Sequence, residues 1–403
     1  MSAADDPWPW RAALAELLRR NRLAQADELA DEVAAAAAPL GLDATIYLVD
    51  QEQRTLRPVP RAGAAGPEPL AVQDTVAGRV FMAVEQAVDG NRLWLPLLDG
   101  SERLGVLTVV AGAAERLEDA DFVAGCELFA HLVGHLIATK VPYGDALLKV
   151  RRTRRMSEAS ELLWRLVPPL TFVSHRAVVS AVLEPCYEVG GDGFDYASDE
   201  STLFFAIFDT AGHELRAGLG TAVVMSAIRA ARRAGDGLEA MARAADEALA
   251  AYLPELRFTT AVLAELDLED GRLRYVNAGH PFPLLLRDGK VIGALDAGRR
   301  MPLGLDDWNQ PAGEAVLERG DRILLYTDGI TEARGRDGAH FGADRLAELA
   351  ERDAERLPAP ETLRRLCHAA LARYDGPPTD DATLMLVEWS SDAVRAMLPS
   401  AAR

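Results

Sequence analysis

The feature that most constrains the fold is a series of short apolar, strand-like segments between residues 176 and 389. Only a few long helical stretches interrupt this series, at Ala217–Arg233, Leu238–Tyr252 and about Ala343–Tyr374. Many strands with few helices predict an α+β sandwich, in which two antiparallel sheets are covered by helices. The strand-like segments are Arg176–Glu184, Leu203–Phe208, Thr259–Leu266, Leu273–Asn277, Pro283–Leu286, Arg322–Thr327 and Ala382–Trp389.

The N-terminal part of the chain has a different order of elements. A helical pattern covers residues 11–38, strand-like segments follow, and a helical pattern returns over Asp119–Lys140. Asp99-Gly100 separates two of the strand-like segments, and this dipeptide is typical of a tight β-hairpin. The order predicts a small, separate α+β domain. Its strand-like segments are Ala44–Asp50, Arg92–Leu98 and Leu104–Val110.

A third segment, residues 145–169, joins these two parts and carries apolar residues at helical spacing. Pro168-Pro169 ends the predicted helix, because proline cannot continue one. The chain is therefore predicted to contain an N-terminal helix and α+β domain (1–140), a helical linker (141–170), a sandwich domain (171–392) and a tail (393–403).

Composition excludes several classes of function. Lys and Arg number 43 against 62 Asp and Glu, and this net charge of -19 argues against nucleic acid as a partner. The N-terminus lacks the apolar core of a signal peptide, and no apolar run approaches the roughly 20 residues that span a bilayer. The 3 cysteines form no CxxC pair, so neither a disulfide framework nor a cysteine zinc site is expected. We expect a cytoplasmic protein that binds neither nucleic acid nor membranes.

Aspartates stand at or beside the ends of apolar segments in a group of short motifs. A single such residue usually forms a turn, but several motifs far apart in the chain are harder to explain in that way. Carboxylates that converge repel each other, and a cation removes this penalty. Oxygen ligands suit Mg²⁺ or Mn²⁺, and two such ions about 4 Å apart promote phosphoryl transfer. The motifs are Gly190-Gly191-Asp192 with Asp195, Asp209-Thr210-Ala211-Gly212-His213, Tyr326-Thr327-Asp328-Gly329 and Thr379-Asp380-Asp381-Ala382.

Over residues 171–390 the sequence resembles a SpoIIE-type (RsbU-like) phosphatase domain of the PPM superfamily. The segments that carry the resemblance, in order, are EPCYEVGGDGFDYA, FFAIFDTAGH, YVNAGHPFPLLL, ILLYTDGITEARGRDGAHFGADRL and TDDATLMLVEW. The resemblance implies a β-sandwich with flanking helices, two Mn²⁺ or Mg²⁺ ions, and removal of phosphate from Ser or Thr of a protein. Residues 20–140, with ATIYLVD and LWLPLLDGSERLGVLTVV, resemble a GAF sensor domain whose ligand is unknown.

The resemblance also implies roles for individual residues. The implied catalytic and metal-binding set is Asp209, which bridges both ions, Asp192, which binds chiefly through water, Asp328, Asp380 and the backbone carbonyl of Thr210. The secondary candidates are Asp381 and Asp195 as outer partners or turn residues, His213 as proton donor or loop residue, Gly191 for close backbone approach, and Glu214. Glu214 is a departure, because related sequences often read DxSGHG and have a small residue there.

The implied substrate is a phosphorylated STAS-domain anti-anti-sigma factor, acting in partner-switching control of transcription. Helices ahead of the phosphatase domain act as regulatory switches in such proteins, and here that stretch is Ser157–Leu166. An unknown sensor ligand or partner and a homodimer formed through the linker helices are also expected. Two alternatives remain open. In the first, the chain is a pseudophosphatase that acts as a sensor-driven binding module. In the second, its N-terminal domain only dimerises and binds no ligand.

Overall fold

The computed structural model describes residues 8–63, 65–184, 187–188, 190–212, 214–256, 258–305, 311–334, 339–354, 357–373, 381–392 and 397. The chain forms two compact units, residues 1–154 with 397–403 (the N-terminal unit) and residues 155–396 (the C-terminal unit). The two units thus divide inside the segment that was predicted to be the linker. The predicted domain limits at residues 140, 170 and 392 remain predictions.

The N-terminal unit is an antiparallel sheet with helices on both faces, in agreement with the α+β prediction. Its helices are α1 (Trp10–Asn21), α2 (Leu29–Ala37), α3 (Val76–Ala83), α4 (Ala120–Lys140) and α5 (Ala146–Arg151). Its strands are β1 (Leu42–Val49), β2 (Thr55–Pro58), β3 (Leu70–Ala71), β4 (Ala87–Asp89), β5 (Arg92–Asp99) and β6 (Glu102–Ala111). The strand order is β3-β2-β1-β6-β5-β4, and the predicted hairpin joins β5 to β6.

Two apolar cores hold this unit together. The larger core gathers residues of α1, α2, α4 and α5 on one side of the sheet, and the smaller one packs α3 on β1, β2 and β5. The single helix predicted over residues 11–38 is wrong, because α1 and α2 are separate. A straight helix of that length would span roughly 40 Å, whereas two helices let Leu17 and Val33 both enter the larger core.

Helix α4 differs from the expectation that no apolar run approaches membrane-spanning length. With the turn that follows it, the stretch Ala120–Tyr143 is long and apolar enough to cross a bilayer, with a mean hydropathy of 1.5. Half of that stretch is buried inside the unit, where Phe129 and Val133 pack in the larger core. Core helices of soluble proteins pass the same test of length and composition.

The C-terminal unit is a sandwich of two sheets with helices outside. Its helices are α6 (Glu158–Leu166), α7 (Glu214–Arg233), α8 (Leu238–Tyr252), α9 (Asp328–Thr331), α10 (Ala343–Ala354) and α11 (Ala359–Leu371). The first sheet has the order β15-β12-β11-β10-β9 with β16 on β12, and contains β9 (Asp192–Ser198), β10 (Thr202–Thr210), β11 (Thr259–Asp267), β12 (Arg272–Ala278), β15 (Arg299–Arg300) and β16 (Gly313–Val316). The second has the order β14-β13-β17-β18-β8-β7, and contains β7 (Thr171–Val173), β8 (Ala177–Glu184), β13 (Leu284–Arg287), β14 (Lys290–Ala294), β17 (Arg322–Tyr326) and β18 (Ala382–Trp389).

The two faces of β10 belong to different cores. Phe205 and Ile207 enter the core between the sheets, whereas Phe204, Ala206 and Phe208 pack under α7 and α8. A strand that is buried on both faces reads as a continuous apolar run, which explains the segment LFFAIF. The polar residues that follow this run therefore lie at the edge of a rigid sheet.

Two predicted helices are divided in the structure. The helical segment predicted over residues 145–169 consists of α5 and α6, and residues 152–157 between them are not helical. The helix predicted over Ala343–Tyr374 is α10 and α11, because Pro358 and Pro360 at the start of α11 cannot continue α10.

Candidate metal centre

The centre begins with a pair of aspartates on neighbouring strands. Asp192 is the first residue of β9, Asp209 lies near the end of β10, and the antiparallel register places them directly opposite each other. Side chains of directly opposed residues have Cβ atoms about 4.5–5.5 Å apart. Alternate residues of a strand share a face, so Asp192 lies on the same face as Phe194, and Asp209 on the same face as Ile207. That face points toward the sandwich interior. The register thus brings together two of the predicted metal ligands.

The carboxylate of Asp192 lies in an unfavourable environment for a charge. The residue is only 2% exposed. Desolvation raises its pKa well above the usual range, and the negative charges of Asp209 and Asp381 raise it further. The hydroxyls of Thr383 and Thr327 partly oppose this rise in pKa. Bound cations would relieve both the desolvation and the repulsion.

Thr327 connects the Asp192 carboxylate to the motif that contains Asp328. Its hydroxyl donates to Oδ2 of Asp192 at 2.7 Å and accepts the amide hydrogen of Thr383 at 2.8 Å. The backbone N–H of Thr327 also donates to the carbonyl of Thr383, at 3.0 Å. Asp328 follows at once as the first residue of α9, partly buried at this end of the sandwich.

The segments that carry Asp328 and Asp381 are in close contact. A Cβ atom on Gly329 would lie 1.7 Å from the carbonyl oxygen of Asp381, so no other residue fits there without movement of the backbone. The Asp381 carboxylate contacts the segment that begins β9. Its Oδ2 accepts the backbone N–H groups of Gly190 at 2.7 Å, Gly191 at 2.6 Å and Asp192 at 3.2 Å. Asp381 therefore anchors the Gly190–Asp192 backbone.

Thr210 is fixed by a cluster of buried threonines. Its hydroxyl is 2.8 Å from that of Thr221 and 2.9 Å from that of Thr259, and the Thr221 hydroxyl donates to the carbonyl of Gly191. A Cβ atom on Gly191 would lie 2.5 Å from the carbonyl oxygen of Thr210. A side chain at position 191 would therefore collide with the Thr210 carbonyl, which the resemblance assigns to a metal.

Asp195 lies apart from this cluster. It is three residues from Asp192, so alternation places it on the opposite, helix-covered face of β9. There its carboxylate pairs with Arg229 at 2.6 Å and Arg232 at 3.3 Å, and it is 1% exposed. It is a buried ion-pair residue, and neither of the two roles weighed from the sequence describes it.

The other candidates differ in what the structure shows of them. Asp380 and His213 lie outside the described residues. Glu214 is exposed and has φ of 63°, a left-handed conformation that glycine adopts without strain. The DxSGHG pattern of the resemblance has glycine at this position, and glycine would adopt the same conformation without strain. His280, of the NAGHP segment, is 1% exposed, and its Nδ1 lies 2.8 Å from the hydroxyl of Thr260.

The donors at this centre fit a hard cation. They are oxygen atoms, and the charges that raise the pKa of Asp192 are carboxylates, which is the pattern that Mg²⁺ or Mn²⁺ neutralises. Among the described residues, no three His, Cys, Asp or Glu side chains form a metal-binding group by themselves. The predicted ligand set also includes Asp380, which lies outside the described residues, and the Thr210 carbonyl, which is a backbone group.

Sequence reasoning missed the threonines that position the acids. Thr221 and Thr259 are separated from Thr210 by 11 and 49 residues, and no spacing rule marks buried hydroxyls of this kind. Thr327 stands inside a quoted motif, next to Asp328, but nothing in the sequence shows that it contacts Asp192, 135 residues away.

Comparison with known proteins finds similarity over this part of the chain. The family model "Stage II sporulation protein E (SpoIIE)" matches residues 199–390, which include Asp209, Asp328 and Asp381 and begin after Asp192. "Phosphoserine phosphatase RsbU" of Bacillus subtilis (strain 168) is 24% identical over 211 residues, covering 52% of this chain and 62% of the relative. "Phosphoserine phosphatase RsbP" of the same organism is 25% identical over 173 residues, covering 40% of this chain and 41% of the relative.

Among solved structures, the SiaA-PP2C domain of Pseudomonas aeruginosa is similar, with 25% identity and a TM-score of 0.47 over 52% of this chain and 85% of that chain. The chain spans less than two thirds of the length of both curated relatives, at 62% and 41%. The family match and the curated relatives together show that residues 199–390 of this chain are similar to the SpoIIE family.

Proposed function

We propose that the chain is a metal-dependent protein serine/threonine phosphatase that uses two Mn²⁺ or Mg²⁺ ions. The observation that carries this proposal is the buried pair of Asp192 and Asp209, directly opposed on β9 and β10, with the Asp381 charge acting on the same carboxylate.

In this proposal, Asp209, Asp192, Asp328, Asp380 and the Thr210 carbonyl would hold the two ions. The ions, when bound, supply a hydroxide nucleophile and neutralise the phosphoryl oxygens. The protein contributes a preorganised frame. Thr327 orients the Asp192 carboxylate, the Asp381 carboxylate holds the Gly190–Asp192 backbone, and the buried threonines fix Thr210.

We infer that the substrate is a phosphorylated serine or threonine on a STAS-domain anti-anti-sigma factor in the cytoplasm. The names of the two relatives, both phosphoserine phosphatases, support phosphoserine as the substrate group. A solved structure titled "The crystal structure of the RsbU and RsbW domains of Rv1364c from Mycobacterium tuberculosis" is 28% identical over 56% of this chain, with a TM-score of 0.45. That protein contains both an RsbU domain and an RsbW domain.

We further propose that the N-terminal unit is a GAF-like sensor that controls the active site, with a homodimer formed through the linker helices. Contacts within the C-terminal unit support a role for α6 in this control. The amide of Ser157 at the start of α6 donates to the carbonyl of Tyr187 at 2.8 Å, close to the Gly190–Asp192 segment. A Cβ atom on Gly218 of α7 would lie 3.1 Å from Cβ of Ala159 and 3.2 Å from the carbonyl oxygen of Gly190. A shift of α6 would therefore be transmitted to the backbone that carries Asp192.

One observation favours a pseudophosphatase as the second candidate. Glu214 places a negative charge and a strained backbone conformation five residues after Asp209, where the related pattern has glycine. In that reading the chain binds its partners but does not hydrolyse phosphate.

Hydrolysis of p-nitrophenyl phosphate separates the two candidates. We expect turnover by the full chain with Mn²⁺ or Mg²⁺, loss of turnover with a chelator, and at least about a hundredfold loss in Asp209→Asn and Asp328→Asn. Asp344→Asn, at an exposed position in the first turn of α10, is the matched control and should retain full activity. If the wild-type chain shows no metal-dependent turnover, the pseudophosphatase is favoured. If turnover persists in the presence of the chelator, the two-metal proposal is contradicted.

A further inference from the structure

The N-terminal unit contains a cavity that no role assigned above uses. Its volume is about 460 Å³, within the range of roughly 300–1,000 Å³ that is typical of small-molecule sites. The cavity lies between the end of β2, the loop before α2 and helix α5. Its walls are mainly apolar, and they include Val59, Leu147 and Val150. Because Val59 and Leu147 also belong to the larger core, the inner wall is held rigidly.

Basic side chains stand at this apolar cavity. Arg57 projects from β2 and is partly buried, and Lys149 lies on α5 and is exposed. Within the part of the chain that the structure describes, neither side chain has a hydrogen-bond or ion-pair partner. Asp27 is the acidic residue among those that line the cavity, so the balance of formal charge there is positive. A molecule with an apolar body and one anionic group matches both the walls and this charge.

The cavity is lined by the last helix of the N-terminal unit before the chain continues to α6. Helix α5 has only 6 residues, and a helix so short is not stable by itself. It is held by the buried side chain of Leu147, by the bond from Gln51 N to the carbonyl of Arg151 at 3.0 Å, and by the bond from Arg151 Nε to the carbonyl of Val49 at 3.1 Å. A ligand in the cavity would contact α5 directly and would stabilise it.

The smaller apolar core lies on the other face of the sheet. There α3 packs on β1, β2 and β5, and Leu56 points to that side, whereas its neighbour Arg57 points to the cavity. The cavity is thus a feature of the side that carries α2 and α5.

We propose that this cavity is a binding site for a small amphipathic anion, a molecule with an apolar body and one carboxylate or similar acidic group. The apolar part lies against Val59, Leu147 and Val150, and the acid pairs with Arg57 and Lys149. This inference concerns binding alone and does not depend on the phosphatase proposal.

Titration calorimetry of the full chain with octanoate, and with octanol as a neutral probe of the same length, tests the proposal. We expect saturable binding of octanoate at one site, and affinity about tenfold higher for decanoate because two more methylene groups are buried. Octanol should bind about tenfold more weakly than octanoate, since it cannot form the charge-assisted hydrogen bonds.

Variants locate the binding at this cavity. Arg57→Gln with Lys149→Gln should weaken octanoate binding about tenfold and leave octanol binding unchanged, whereas Arg79→Gln on the exposed face of α3 is the matched control. Ala146→Trp fills the cavity and should abolish the binding of both probes, and the thermal unfolding temperature shows whether each variant is folded. Equal affinity for octanoate and octanol, or equal octanoate affinity in the double variant and in Arg79→Gln, would overturn the proposal.

Discussion

Thr327 provides a sharp test of how the centre is held together. Its hydroxyl is shared between the buried carboxylate of Asp192, at 2.7 Å, and the amide of Thr383, at 2.8 Å. Thr327→Val keeps the shape of the side chain but removes the donor to Asp192 and the acceptor for Thr383. Thr327→Ser keeps the hydroxyl and loses only a methyl group, so it is the matched control.

The magnitude follows from the two bonds. A hydrogen bond to a charged group contributes about 1.5–3 kcal/mol, and a buried amide left without a partner costs about 1–3 kcal/mol. We therefore expect Thr327→Val to lower the free energy of unfolding by about 3 kcal/mol. Thr327→Ser should lower it by about 1 kcal/mol, for one buried methyl group. Urea unfolding of the full chain, with the transition of the C-terminal unit fitted separately, measures the difference.

The same pair of variants tests the role of Asp192 in metal binding. Loss of a group that orients a metal ligand typically weakens metal affinity about 10- to 100-fold. The Mn²⁺ concentration that gives half-maximal hydrolysis of p-nitrophenyl phosphate should rise by that factor in Thr327→Val and change little in Thr327→Ser. If the valine variant is as stable as the serine variant and needs no more Mn²⁺, the Thr327 hydroxyl does not position Asp192.

Two further predictions concern buried ionisable residues away from the proposed ligands. Asp195→Asn breaks the ion pairs with Arg229 and Arg232, whose side chains are partly exposed. It should lower the free energy of unfolding by about 2 kcal/mol, while metal-dependent turnover stays within about threefold of the wild-type value. Lost turnover with unchanged stability would instead place Asp195 at the metal centre. For His280, burial lowers the pKa from 6.5 to about 3, so between those pH values the unfolded chain binds a proton that the folded chain does not. The free energy of unfolding should therefore fall by about 2 kcal/mol from pH 6.5 to pH 5 because of this residue. His280→Asn should remove that part of the pH dependence. If the pH dependence of the free energy of unfolding is the same in the variant, other groups cause it.

Local patterns in the sequence predicted most of the sandwich, because its strands are apolar runs bounded by turns. The segment LFFAIF was predicted as a strand and lies between β11 and the edge strand β9 as β10. Strand β9 was not predicted, since Gly193 and Asp195 disfavour strands and its register comes from pairing with β10. The divided helices were missed for a related reason. Helical periodicity continues across residues 22–28 and 152–157, and only packing against the cores shows where each helix ends.

The candidate site could be predicted as a set of residue types but not as a set of contacts. The motifs named candidate aspartates, because aspartates beside glycine at strand ends are a local signal, but they did not show that Asp195 lies apart from Asp192 and Asp209. The hydrogen bond from the Gly190 amide to Asp381 joins residues 191 positions apart, and it depends on the meeting of two sheets. Contacts of that range are set by tertiary packing, so sequence reasoning could name Asp381 but could not choose between its possible roles.

The short connection at residues 199–201 determines more than the path of the chain between β9 and β10. It fixes Leu203 opposite Ser198, and the ladder carries that register to the pair of Asp209 and Asp192 about 20 Å away. Removing or adding one residue in this connection would exchange the two faces of β9, turning Asp192 toward the helices and Asp195 toward the sandwich interior. The length of a solvent-exposed turn is therefore as strict a requirement for this chemistry as the aspartates themselves.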